Sequence, residues 1–141
     1  MNKRIGKKSF YMVIALVLAS ALALPAMSEK NQPKIMIVKF HAEWCGTCTR
    51  LEPTLVELKE KFEKKPIQWV VLDLTDEKTQ SKAAYLAESL GISNHLQENG
   101  RKTGSLRVLN ASTKELISTL TKKMNKDEMA LAISKALEHS E

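Results

Sequence analysis

Cys45 and Cys48 are the only cysteines among 141 residues, and Trp44-Cys45-Gly46-Thr47-Cys48 encloses both. An exported scaffold held together by disulfides needs several cysteines spread along the chain, so one close pair reads as a site. Two intervening residues keep the sulfurs near enough to bridge. The motif falls where an apolar strand-like run gives way to a helical pattern. A helix start offers unpaired N–H groups and positive dipole potential, which favour a thiolate. A first cysteine there has a lowered pKa. Its thiolate attacks a disulfide to form a mixed disulfide, and the second cysteine, one turn along, resolves it. Cys45 is therefore the expected nucleophile and Cys48 the resolving thiol.

The elements that must position this pair follow from hydrophobic spacing. Ile35 to Phe40 is a β-branched run of strand length that reads as buried. From Cys48 to Lys64, Leu51, Leu55, Leu58 and Phe62 fall on one helical face, and Pro53 should kink that helix. Ile67 to Leu74 is a second strand, apolar enough for burial on both faces, with Trp69 as a core residue. Lys82 to Leu90 reads as a helix closed by Gly91. The polar stretch from Ile92 to Gly104 looks least ordered, and His95 and His139 read as surface residues. Ser105 to Leu109 and Glu115 to Leu120 form a hairpin around Asn110 to Lys114. Asn125 with Glu128 then opens a last helix. The order β-α-β-α-β-β-α makes the first two strands parallel and the last two antiparallel. This is an α/β architecture, a mixed sheet of about four strands with helices on both faces.

The N-terminus has a different grammar. Lys3, Arg4, Lys7 and Lys8 precede an uncharged run from Phe10 to Leu24, followed by small residues. This is the pattern of a secretory signal peptide, with cleavage between 21 and 28 and Ala21-Leu22-Ala23 fitting the small-x-small rule. The run is short for a membrane span, which disfavours an uncleaved anchor. Residues 1–23 thus read as leader, 24–34 as linker and 35–141 as the folded domain. The reading implies export, with the bacterial periplasm as the compartment. Four of the 22 basic residues and none of the 16 acids lie in the leader. The rest carries 18 against 16, a net of +2 rather than +6. No concentrated basic face and few aromatic residues remain, which excludes a nucleic-acid binder.

Val38 to Cys48, with Pro53 after the motif and Asp73 near the end of the next strand, resembles the thioredoxin family. The looser match runs from about Lys34 to Leu137. The resemblance implies a thioredoxin-like fold and dithiol–disulfide exchange with protein substrates. It also implies no organic cofactor and a monomeric chain. Where the family carries a buried acid on the active-site strand, this chain has Lys39. His41 shares its strand face and stands where an aromatic residue is common. Lys39 either holds the thiols as thiolates or reaches solvent at the strand's edge. Trp44 is expected to wall the site. The family's cis-proline loop, which contacts substrate and shields the thiols from metals, is matched here by Thr103-Gly104-Ser105. The family places the two motifs closer together, so residues 93–102 read as an insertion. It is either a partner-recognition or lid segment or a tolerated surface loop.

The pair between the cysteines tunes the potential in this family. Gly46-Thr47 matches neither the Gly-Pro of reducing thioredoxins nor the Pro-His of strongly oxidising periplasmic enzymes. The shared Gly46 favours a reductant or isomerase-like role, which in an exported compartment needs a membrane-bound electron donor. The rival class is an exported Cu(I)-binding metallochaperone using Cys45, Cys48 and His41, since Cu(I) favours soft thiolates. A third class, an inert binding module, fits poorly with both cysteines being kept in this context.

Overall fold

The computed structural model describes residues 32–140. The leader reading and most of the linker lie outside the described residues. Eight elements follow one another: β1 (Ile35–His41), α1 (Gly46–Lys61), β2 (Ile67–Asp73), α2 (Glu77–Ser89), α3 (Ser93–Asn99), β3 (Ser105–Asn110), β4 (Leu116–Thr121) and α4 (Lys126–His139). The sheet order is β2-β1-β3-β4. β1 runs parallel to β2 and antiparallel to β3, and β3 and β4 form the antiparallel hairpin. Four mixed strands with helices on two faces is the architecture that the sequence implies.

β1 is central, and its alternation divides the core. Ile35 and Ile37 pack with Leu51, Leu55 and Leu58 of α1 and with Met129 and Ile133 of α4. Met36, Val38 and Phe40 point the other way, against Ala83 and Ala87 of α2 and against Ile92. A strand buried on both faces cannot slip by one residue without exchanging its two apolar sets, so its register is strongly specified. The C-terminal end of β1 therefore meets the start of α1 at one place. Among the described residues, no helix is long and apolar enough to cross a membrane.

Several expectations need correction. β2 is not buried on both faces: it is an edge strand, and Val71 is 45% exposed. Trp69 packs at the margin of the core rather than inside it, with the Lys59 ammonium over its ring at 5.7 Å. α2 starts five residues early because Asp76 and Thr79 form a reciprocal capping box. Its end follows the sequence reading, with Gly91 at φ +71° and Ile92 N–H donating to Ala87 O at 2.8 Å. The stretch read as least ordered contains a helix, α3, whose cap residue Ile92 offers no side-chain acceptor. His95 is not a surface residue: it is 4% exposed and bonded to the β3–β4 turn. Pro53 lies inside α1, where the sequence reading places it.

Leu58 is fully buried between α1, β1 and α4. Leu58→Ala should cost about 3 kcal/mol, the usual loss for a buried leucine whose cavity does not collapse. Urea unfolding measures it directly, and a loss below about 1 kcal/mol would contradict this packing.

Candidate functional site

The β1–α1 junction carries the two cysteines. Cys45 ends the extended segment at φ −87°, ψ 95° and is the N-cap of α1. Its Sγ accepts the backbone N–H of Cys48 at 3.1 Å. A sulfur thus stands where helices normally place a Ser, Thr or Asp oxygen. The same sulfur is bonded to Cys48, with the two Cα atoms 5.3 Å apart. Both cysteines are buried, Cys45 with 6% of its surface exposed and Cys48 with 1%, so Cys45 is the more accessible residue of the two. Ala42, also buried, packs with the pair, and its carbonyl accepts Cys45 N–H.

Behind the pair, Phe40 O accepts Gly104 N–H at 3.1 Å and lies 3.8 Å from Cys48 Sγ. A disulfide sulfur carries no proton, so this second contact becomes a donor–acceptor pair only when Cys48 is a thiol. Gly104 brings the loop before β3 against the redox pair. A Cβ there would fall 2.7 Å from Thr47 Cγ2 and 3.5 Å from Cys45 Sγ. Gly104 also has φ +80°, a left-handed conformation closed to proline. The loop expected to contact substrate is therefore placed beside Cys45, with Gly rather than Pro for a geometric reason.

α3 helps to hold that loop. Asn99 is buried, and its Nδ2 donates to Lys102 O at 2.6 Å. His95 accepts from Arg107 Nη1 at Nδ1 (2.9 Å) and lies 2.6 Å from Lys114 O through Nε2. Only the tautomer with Nε2–H satisfies both contacts. Arg107 also pairs with Glu98 at 2.9 Å and stacks over the Phe40 ring at 5.9 Å. α3 is thus bonded to β3 and to the turn after it.

Trp44 is 59% exposed, and its Nε1 donates to Thr75 O at 3.1 Å. Thr75 in turn donates to Asp73 through N–H and hydroxyl, at 2.9 and 2.5 Å. Those two bonds, the hydroxyl's first, hold the Asp73 carboxyl below the ordinary aspartate range. Glu43 N–H donates to Thr75 Oγ1 at 3.0 Å. The Trp44 indole is therefore oriented toward the chain that follows β2, with much of its surface open.

Lys39 does not reach solvent at the strand's edge: it lines a cavity together with Cys48. Its side chain is buried, and its ammonium pairs with Glu52, one turn beyond Cys48 on α1. The Lys39 hydrogen bond pulls the Glu52 carboxyl below the usual glutamate range. Lys39, His41, Cys48, Thr49, Glu52 and Val71 line one cavity of about 460 Å³. The cation beside Cys48 is thus already matched by an anion. His41 faces the same cavity, and its Nδ1 is buried without a hydrogen-bond partner. Glu52, Thr75 and Asn99 are contributors that sequence reasoning missed. Spacing alone offers a signal only for Glu52, at i+4 from Cys48 on the helix. Among the described residues, no group of three or more His, Cys, Asp or Glu side chains is placed to hold a metal ion. The set Cys45, Cys48 and His41 is therefore not gathered as a copper site.

The thioredoxin family model matches residues 26–122, more than half of the chain. Thioredoxin-2, mitochondrial, of Schizosaccharomyces pombe is 32% identical over 89 residues, covering 63% of this chain and 62% of that protein. Protein disulfide-isomerase 1 of Caenorhabditis elegans is 47% identical over 36 residues, 26% of this chain and 7% of the relative. The chain spans less than two thirds of the length of either curated relative. The solved structure described as "Structure of MTB dsbF in its mixed oxidized and reduced forms" superposes with a TM-score of 0.51. It is 13% identical over 74% of this chain and 82% of the other, a likeness of fold.

Because its partner holds the Glu52 carboxyl low, the ion pair stabilises the fold fully above the ordinary glutamate range. That contribution is lost as pH falls through the depressed value. The stability difference between wild type and Lys39→Met should accordingly be largest near neutral pH and shrink below about pH 4. Urea midpoints at several pH values check this; a difference independent of pH would contradict the pairing.

Proposed function

The chain belongs to the thioredoxin family, and from that premise we propose that it is an exported thiol–disulfide oxidoreductase acting on protein substrates through Cys45 and Cys48. One observation carries the reading: Cys45, the more exposed residue of a bridged pair, caps a helix, and its sulfur already accepts a backbone N–H. An acceptor position for that sulfur also suits a thiolate, because N–H donors and the helix dipole favour negative charge there.

In the reducing direction, the Cys45 thiolate attacks one sulfur of a client disulfide. A Cys45–client bond forms and the other client sulfur leaves as a thiolate. Cys48 then loses its proton and attacks Cys45 Sγ. The Cys45–Cys48 bond forms, the second client sulfur leaves, and two electrons have passed from the pair to the client. Phe40 O, 3.8 Å from Cys48 Sγ, is placed to orient the resolving thiol before it ionises. The paired charges of Lys39 and Glu52 lie beside that step. Oxidation of a client dithiol is the same sequence reversed.

Gly46 at the first position between the cysteines favours a reductant or isomerase-like role over a strong oxidant. Residues 1–23 serve as a cleaved leader, 24–34 as a linker and 35–141 as the catalytic domain, which acts as a monomer in the periplasm. A reductant there draws electrons from a membrane-bound donor.

Cys45→Ala should abolish exchange with a protein disulfide, whereas Cys48→Ala should accumulate mixed disulfides visible on non-reducing gels. Undiminished activity in Cys45→Ala would overturn the assignment of roles.

A further inference from the structure

The side of Cys45 away from Trp44 is a shaped groove. Thr47, Thr103, Gly104, Thr121, Lys122 and Lys123 line a cavity of about 380 Å³. One wall is the loop before β3. Gly104 N–H is tied to Phe40 O, and the Asn99 amide holds Lys102 O. Because a Cβ on Gly104 would sit 3.5 Å from Cys45 Sγ, this wall reaches the reacting sulfur itself. The other wall is the end of β4, where Thr121 pairs with Ser105, and the turn carrying Lys122 and Lys123.

The charge of the groove is one-sided. No Asp or Glu lines it, and both lysines are exposed. Among the described residues, neither lysine is held in an ion pair. Arg101 and Lys102, also exposed, precede the first wall. The acids near the motif lie toward β2: Glu43 and Asp73 belong to the Trp44–Thr75 flank, and Glu52, paired with Lys39, shares a cavity with Val71. A client crossing Cys45 thus meets hydroxyls and ammonium groups on one side and carboxylates on the other. Ammonium groups left unmatched at the rim of a groove attract an opposite charge and reject a like one.

We propose that this groove selects protein clients that carry an acidic side chain next to the cysteine undergoing exchange with Cys45. The proposal rests on the thiol–disulfide reading above and adds the class of substrate. The three threonine hydroxyls supply hydrogen-bond partners for the client's backbone, and Lys122 and Lys123 supply the discrimination.

Synthetic peptides bearing one common disulfide, flanked by Asp, Gln or Lys, test it with the reduced mature protein. The uncharged hydroxyethyl disulfide serves as reference. The expected order of kcat/KM is Asp over Gln over Lys, with about a tenfold span at low salt. Salt at about 0.5 M should compress that span, because the lysines are solvent-exposed. Reversing both charges, Lys122→Glu with Lys123→Glu, should invert the order, with a circular dichroism melt verifying the fold. Equal rates for the three peptides, or an acidic preference that survives the reversal, would overturn the proposal while hydroxyethyl disulfide still exchanges. Failure to exchange even hydroxyethyl disulfide would instead bring down the underlying reading.

Discussion

The first amides of α1 need acceptors, as those of every helix do, and Cys45 Sγ takes the one from Cys48. Much of the site depends on that bond. It puts a sulfur at the positive end of a 16-residue helix and aligns it with the second sulfur one turn away. It also fixes where the helix begins, which decides that Leu51, Leu55 and Leu58 face β1. On the other side, β1 is held by apolar packing on both faces, so the strand end cannot drift. Junction, cap and disulfide are one construction. The carbonyl of Phe40, the penultimate residue of β1, joins it to the Gly104 loop.

Around this junction the chain distributes charge in matched and unmatched parts. Lys39 and Glu52 neutralise each other beside the buried Cys48. A lone ammonium there would be costly to bury, and the Glu52 carboxylate makes it tolerable. Asp73 is likewise occupied by Thr75 and serves to orient the Trp44 indole. Lys122 and Lys123, in the groove that Gly104 shares with the redox pair, are exposed and held in no ion pair among the described residues.

Periodicity made much of this legible. The central strand, the face of α1 and the capping box at Asn125 and Glu128 follow from residue types and local spacing, and the structure keeps them. Cys45 and Cys48 were legible because a bridged pair at a strand–helix junction has few other uses. What escaped was set by distant partners. α3 has no side-chain cap, so nothing local announced it; His95 bonded to Lys114 O and Asn99 bonded to Lys102 O hold it in place. β2 reads as doubly buried, but its place at the sheet edge is a property of strand order, which no single strand encodes. The partner of Lys39 lies 13 residues away on another element, and only the packing of α1 on β1 brings Glu52 to it.

Equilibration of the metal-free mature protein with glutathione buffers tests whether Cys45 and Cys48 cycle as a two-electron couple. The expected result is a reversible transition with one disulfide gained or lost per chain, at a potential nearer about −270 mV than about −120 mV. A pair that stays fixed in one state across the buffer series would contradict the redox function itself, and a value near about −120 mV would contradict the reducing direction assigned to it.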